Sequence, residues 1–119
     1  MDFSAAIRAH ANWRLRLSAY CHGSVTEVIN IQTLAKDNAC ELGKWLFGEG
    51  QKYGSDPRFG ELISAHAAFH RSAAAIATMA QNGRQKEAEG LLNSNESQYA
   101  KLSVQVVGIL MKFRTQYGN

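Results

Sequence analysis

A stripe of apolar residues between Asp56 and Gln81, repeating at helical spacing, constrains the fold of this chain more than any other feature. The pair Asp56-Pro57 is typical of a helix start, with aspartate as the N-cap and proline at the first helical position. At 100° per residue, one narrow face of this segment carries Phe59, Leu62, Ile63, His66, His70, Ala73 and Ala77. The pattern predicts a long helix that ends near "QNG" and has two histidines in the middle of its buried face.

The segment from Met1 to Cys21 is the second predicted helix, with Ser4 as a possible N-cap. Its apolar face comprises Phe3, Ala6, Ile7, His10, Leu17 and Cys21. A third histidine, His10, is therefore also expected to point towards the core.

The last predicted helix runs from Arg84 to Gln116. Its stripe comprises Tyr99, Leu102, Val106, Ile109, Leu110 and Phe113. Gly90 and the run "NSNES" weaken the first half of this helix, which indicates a bend there.

A short helix is predicted in "DNACELGKWLFGEG", capped by Asp37 or Asn38 and ended by Gly48 and Gly50. Residues 22–36 are interpreted as a loop, and "EGQKYGSDP" as a glycine-rich turn. Three long helices and one short one predict a single all-α domain over residues 1–119. We expect an antiparallel four-helix bundle whose short helix carries the C-x-L-G-x-W pattern.

Composition excludes several classes of protein. The net charge is only +3, and the 13 Lys and Arg residues are scattered, so a nucleic-acid-binding surface is not expected. The sequence contains no apolar run long enough for membrane insertion, and its beginning does not resemble a signal peptide. We therefore expect a cytoplasmic protein in which Cys21 and Cys40 are reduced thiols.

The histidine pair indicates a metal site. His66 and His70 are four residues apart, so their imidazoles point the same way and can reach one ion. With His10 and Cys40 they would form a four-ligand set of imidazoles and a thiolate, which suits Zn²⁺. The alternative at this point is a plain bundle in which the core histidines are satisfied by hydrogen bonds.

Three motifs occur in order: "HANW" at His10, "CELGKW" at Cys40, and "HAAFH" from His66 to His70. In this combination the chain resembles the chemoreceptor zinc-binding domain family. The resemblance implies a cytoplasmic helical domain that pairs as a homodimer and belongs to chemotaxis receptors or diguanylate cyclases, or stands alone. It also implies zinc ligation by His10, Cys40, His66 and His70, and sensing of zinc or of oxidants such as hypochlorous acid through Cys40. No signalling or cyclase segment is recognisable, so we expect a free-standing or excised domain.

Other residues have expected supporting roles. Trp13 and Trp45 are predicted to pack around the metal site and keep water out. Asp37 is either the helix cap or a hydrogen-bond partner of a ligand histidine. Cys21 is interpreted as a small core residue, and His22 as a polar residue at a helix end.

The preferred interpretation is a non-catalytic sensory or regulatory domain. The same residues are also compatible with a structural interaction module in which zinc only staples the helices together. A hydrolytic zinc enzyme is disfavoured, because Ala67 and Ala68 occupy the places where H-E-x-x-H provides a glutamate.

Overall fold

The computed structural model describes residues 1–24 and 28–118, and every secondary-structure element in these ranges is helical. A 3₁₀-helix spans Glu49–Tyr53. The six α-helices are α1 (Phe3–Cys21), α2 (Ile31–Leu34), α3 (Glu41–Leu46), α4 (Pro57–Gln81), α5 (Gln85–Asn93) and α6 (Gln98–Tyr117). The all-helical prediction is confirmed for the part of the chain that is described.

The core lies between the three long helices. α4 packs against α6 and α5, and α1 packs against α6, α4 and α5. The fourth member of this packed group is therefore α5, whereas the motif helix α3 lies closest to the 3₁₀-helix. The apolar stripe predicted for α6 is buried in full. None of the helices in the described ranges has the combination of length and apolar character that crossing a bilayer requires.

Two of the predicted helix boundaries were wrong. α1 is capped by Asp2, whose Oδ1 accepts a 2.9 Å hydrogen bond from the Ala5 N–H, and not by Ser4. The last predicted helix is two helices, because Ser94 to Ser97 interrupt it and Ser97 caps α6 with its own hydroxyl. A serine and asparagine cluster offers the backbone side-chain hydrogen bonds in place of helical ones, so the chain breaks there instead of bending.

The cap of the motif helix was also predicted wrongly. Cys40 is the N-cap of α3, and its Sγ accepts a 3.3 Å hydrogen bond from the Gly43 N–H. Asp37 and Asn38 lie outside the helix. The predicted loop contains a short helix, α2, which Asn30 caps by accepting from the Thr33 N–H at 3.0 Å. Residues 25–27 of that loop prediction lie outside the described residues.

The start of α4 agrees with its prediction, and so do the positions of Cys21 and His22 at the end of α1. Asp56 caps α4 with proline at the following position, and the helix ends at Gln81. Cys21 is buried at the end of α1. The neighbouring His22 is exposed and contacts the Glu89 carboxylate.

Aromatic side chains connect α3 to the long helices α1 and α6. The Trp45 ring makes an edge contact with Phe3 of α1, with centroids 5.5 Å apart, and lies 5.8 Å from Tyr53. Tyr53 in turn stacks at 4.3 Å on Tyr117 in the last turn of α6. The Tyr117 hydroxyl donates a 2.7 Å hydrogen bond to the Asp56 carboxylate, which ties the end of α6 to the start of α4.

Gly43 is required by a close approach between two backbone segments. A Cβ at this position would lie 1.9 Å from the carbonyl oxygen of Asp37, a distance that no side chain can occupy. The glycine of the C-x-L-G-x-W pattern therefore lets the segment before α3 fold back over the helix, which places Cys40 at the end of that segment.

We predict that Gly43→Ala destabilises the protein by about 1–3 kcal/mol or more, because the Asp37 carbonyl must move away. Gly90→Ala is the matched control, since Gly90 is an exposed helical glycine whose Cβ would meet nothing within 4 Å. That control should be neutral or stabilising by about 0.5–1 kcal/mol. Urea unfolding of both variants measures the difference, and equal stabilities would refute the proposed role of the close approach.

Candidate metal centre

Two helices and the N-cap of a third carry the predicted ligand residues. His66 and His70 lie one turn apart in the middle of α4, on the face that packs against the rest of the fold. Cys40 lies at the start of α3, where its thiol points back towards its own helix. His10 projects from the middle of α1. All three histidines are at most 3% exposed, so the sequence correctly predicted that they face inwards.

The donor atoms of three of these residues converge. Cys40 Sγ lies 3.2 Å from His66 Nε2 and 3.5 Å from His70 Nε2. The two Nε2 atoms are 3.0 Å apart. Within the described residues this is the group of histidine, cysteine and acidic side chains whose donor atoms are close enough to share an ion.

These separations fit zinc. With bonds of about 2.3 Å to sulfur and about 2.0–2.1 Å to nitrogen, the edges of a zinc tetrahedron are about 3.3 Å between nitrogens and about 3.6 Å between sulfur and nitrogen. The observed edges are shorter than these values by at most a few tenths of an ångström. A tetrahedral ion would therefore be accommodated with only a small outward shift of the three side chains.

A backbone carbonyl fixes the orientation of one ligand. His70 Nδ1 lies 2.8 Å from the Leu34 carbonyl oxygen, which can only accept a hydrogen bond. The His70 proton is therefore on Nδ1, and the lone pair of Nε2 faces Cys40 and His66. A ligand histidine commonly donates its other ring N–H in this way.

Burial keeps the imidazoles neutral, which is the form that binds metal ions. Burial, with a smaller contribution from the neighbouring histidines, lowers the pKa of His66 to about 3 and that of His10 to about 4. Burial also lowers the pKa of His70, against the opposing effects of the Leu34 carbonyl and the Asp37 charge. The Cys40 thiol has a raised pKa because it is partly buried, although the Gly43 N–H counteracts this.

His10 lies beside the cluster and is not part of it. Its ring centroid is 5.4 Å from that of His66 and 6.3 Å from that of His70, and 5.0 Å from the Phe69 ring. Within the described part of the chain, Nδ1 of His10 and Nδ1 of His66 are buried without a hydrogen-bond partner. An unpartnered imidazole nitrogen in an apolar core is costly.

The other predicted site residues have different surroundings. Trp13 is half-buried and lines two recesses that both include Cys40, and the Arg16 guanidinium lies 4.2 Å from the centre of its ring. Trp45 belongs to the aromatic cluster with Phe3 and Tyr53. The Asp37 carboxylate acts through its charge, which partly opposes the lowering of the His70 pKa by burial and adds slightly to the raised pKa of Cys40.

The comparison with protein families agrees with this geometry. The family model of the chemoreceptor zinc-binding domain matches residues 10–77, a range that starts at His10 and includes Cys40, His66 and His70. The match spans 68 of the 119 residues (77 − 10 + 1), more than half of the chain. This chain belongs to the chemoreceptor zinc-binding domain family. Domains of this family bind zinc, and the cluster of Cys40, His66 and His70 could hold such an ion. No curated protein and no solved structure matches the chain.

Two contributions to this chemoreceptor zinc-binding domain were missed in the sequence. The Leu34 carbonyl orients His70, and no side-chain pattern identifies a backbone acceptor 36 residues away. The Cys40 cap was missed because aspartate and asparagine are the usual N-caps. The signal that could have revealed it is Gly43, whose N–H lies three residues after Cys40, at the distance that a capping side chain reaches.

We predict that the metal-free domain loses stability in acid. His10 and His66 have an ordinary pKa near 6.5 when unfolded and pKa values of about 4 and about 3 when folded, so the unfolded chain takes up protons first. Their stabilising contribution is complete above about pH 6.5 and declines as the pH falls towards the folded values. The maximum slope is about 1.4 kcal/mol per pH unit for each histidine.

Urea unfolding in the presence of a chelator at pH 7, 6 and 5 would measure this slope. His10→Gln should reduce the slope by about 1.4 kcal/mol per pH unit, since one buried titrating group is removed. Gln105→Ala, at an exposed position of α6 that does not titrate, should leave it unchanged. A free energy of unfolding that stays constant between pH 7 and pH 5 would contradict the lowered pKa values of His10 and His66.

Proposed function

We propose that this chain is a non-catalytic, zinc-binding sensory domain of bacterial signalling, of the kind attached to chemotaxis receptors or diguanylate cyclases. In this proposal it acts in the cytoplasm and responds to zinc or to oxidants such as hypochlorous acid. The observation that carries the proposal is the double role of the Cys40 sulfur, which belongs to the donor cluster and also caps α3. Family membership supports a regulatory, zinc-binding role.

The proposed ligand set is His10, Cys40, His66 and His70. The cluster supplies three donors, and His10 is the nearest further candidate because its ring contacts both cluster histidines and has an unpartnered nitrogen. When bound, zinc holds a cysteine as thiolate, the form of the side chain that reacts with oxidants. His10 would complete a closed four-ligand site, which leaves no position for a catalytic water.

We predict that the domain binds one zinc ion per chain and that Cys40→Ala weakens binding at least about 100-fold, because loss of a direct ligand should exceed the 10–100-fold cost of losing an outer partner. His10→Ala should weaken binding comparably if His10 is the fourth ligand. Competition titration against a chromophoric chelator measures both affinities. Cys21→Ala and His22→Ala are the controls, since these residues lie outside the cluster. Unchanged zinc affinity in His10→Ala would reduce the ligand set to Cys40, His66 and His70. Absence of bound zinc from every form of the protein would refute the proposal.

The sensing step follows from the position of Cys40. Its thiolate attacks the peroxide oxygen, an S–O bond forms as the O–O bond breaks, and the displaced oxygen leaves as water after protonation. The product, a sulfenic acid, is both a weaker ligand and an altered helix cap. The helix that it caps has only six residues and depends on packing for its stability. Oxidation of a single atom would therefore loosen the metal site and α3 together.

We predict that stoichiometric hypochlorous acid or peroxide oxidises Cys40, lowers zinc affinity and changes the fluorescence of Trp45, the tryptophan of α3. Mass spectrometry identifies the oxidised residue, and the Trp13→Phe background assigns the emission to Trp45. Cys21→Ala should respond as the unmodified protein does, because Cys21 lies in the core at the end of α1. Oxidation of Cys40 without a change in zinc affinity or emission would refute the switch.

The second candidate is a structural module in which zinc only staples the helices. Complete burial of His66 at the centre of the cluster favours this alternative, since a buried ligand exchanges slowly. The two candidates differ in affinity: a sensor exchanges zinc at cellular free-zinc concentrations, whereas a staple keeps it.

We further propose an antiparallel four-helix arrangement and a homodimer. Connections of three and four residues join α4 to α5 and α5 to α6, and such short connections favour antiparallel neighbours. For the dimer, Val104 and Met111 lie seven residues apart on one face of α6 and are 74% and 46% exposed. Leu15 is 69% exposed on α1, which packs against α6. Sedimentation equilibrium measures the oligomeric state.

A further inference from the structure

A groove of about 450 Å³ lies next to the donor cluster, between α1 and the start of α3, and both Cys40 and His10 line it. On the α1 side it is lined by alanines at positions 5, 6 and 9, followed by Trp13. The small side chains at positions 5 and 9 lie one helical turn apart, and they leave a depression in the surface of α1 along the groove. The groove therefore gives a small molecule an apolar approach to the cysteine.

The charged side chains that line this groove are both acidic. Asp2 is held in place by its capping hydrogen bond to the Ala5 N–H. Glu41 is exposed at the first position of α3, and its carboxylate lies 3.9 Å from Lys44, an exposed pair that contributes little. Of the described side chains that line the groove, none is that of Lys or Arg. Met1 also lines it and carries one α-amino charge, so the two carboxylates leave the lining with a net negative charge. Two carboxylates beside an apolar groove repel anions more than they hinder uncharged molecules.

We propose that this groove is the route by which small, uncharged thiol reagents reach Cys40, and that Asp2 and Glu41 select them over anionic ones. Its biological meaning depends on the proposed function: the domain would respond to uncharged oxidants in preference to anionic ones. Access to the thiol does not itself depend on zinc, so it can be measured separately.

A second recess competes with this route. It measures about 260 Å³, is bounded by Trp13, and also includes Cys40 and His70. Its charged lining residues are Arg16 and Lys36, both basic. The two recesses predict opposite charge preferences at the same sulfur, which makes the routes distinguishable.

The test compares two methanethiosulfonates, the uncharged methyl reagent and the anionic sulfonatoethyl reagent. In both reactions the Cys40 thiolate attacks the sulfenyl sulfur, a disulfide bond forms, and methanesulfinate leaves with the electron pair. Rates are divided by those of free cysteine to remove intrinsic reactivity. The measurements use the Cys21→Ala protein, both metal-free and zinc-loaded, so that the measured rate is that of the Cys40 thiol.

Two variants address the groove. Ala9→Phe fills it and should slow the uncharged reagent about tenfold, equivalent to roughly 1.4 kcal/mol in the barrier. Thr33→Phe fills the second recess, which Thr33 lines, and should change that rate less than about twofold. Zinc titration of each variant reports whether the ligand cluster is intact, so a failure of the proposed zinc site is distinguished from a failure of the groove.

The charge effect is tested with Asp2→Asn combined with Glu41→Gln, in which asparagine keeps the helix cap. The ratio of anionic to uncharged rates should rise about three- to fivefold at low salt, the size that Coulomb's law gives for two carboxylates several ångströms away in water. This increase should disappear at about 0.5 M salt, where charges are screened over about 4 Å. Glu61→Gln, an exposed charge on α4 that lines neither recess, should leave the ratio unchanged.

Three results would overturn the proposal. Thr33→Phe slowing the reaction while Ala9→Phe does not would assign access to the second recess. If the ratio of anionic to uncharged rates were the same in the double variant as in Glu61→Gln, selection by Asp2 and Glu41 would be refuted. Rates that fall as protein concentration rises would show that a second copy of the chain covers the groove.

Discussion

The crowding of three neutral donor atoms at the centre of the molecule is the constraint on which the rest of the structure depends. The sulfur of Cys40 and the Nε2 atoms of His66 and His70 lie within 3.5 Å of one another. Without a shared cation, these three side chains have few hydrogens to share among several lone pairs, and the burial of both imidazoles excludes the water that would otherwise supply hydrogen bonds. Three features of the fold bring these atoms together: the long helix α4, the chain that folds back before α3, and the Leu34 carbonyl.

Sequence patterns predicted the elements whose information is local. The Asp56-Pro57 start of α4 and the buried face of α6 follow from capping preferences and helical periodicity, and both are confirmed. The predicted stripe of α4 is buried except at Ile63, which is half-buried. The cluster of His66, His70 and Cys40 followed from residue type combined with the inward direction of each side chain. The three motifs in order also indicated the family, and the family match over residues 10–77 confirms that membership.

The features that were missed depend on contacts between distant backbone segments. The Leu34 carbonyl, the approach of Asp37 to Gly43 and the packing of α5 as the fourth helix arise only when the chain is folded. A carbonyl group is present at every residue, so composition and spacing carry no information about which one accepts a hydrogen bond. The cap of α3 was missed for a related reason, because a thiol replaces the usual carboxylate or amide at that position.

The aromatic contacts around Trp45 have a mechanical consequence. The indole is packed against Phe3, Tyr53 and Phe59, and through Tyr53 it reaches Tyr117 and the carboxylate of Asp56. Close-packed interiors have low compressibility, so rigid rings in series pass on a displacement with little damping. Ångström-scale motion of the motif helix would therefore be felt about three helical turns from His66, at the first turn of α4 and the last turn of α6. The fold thus contains a stiff linkage between the motif helix and a remote hydrogen bond.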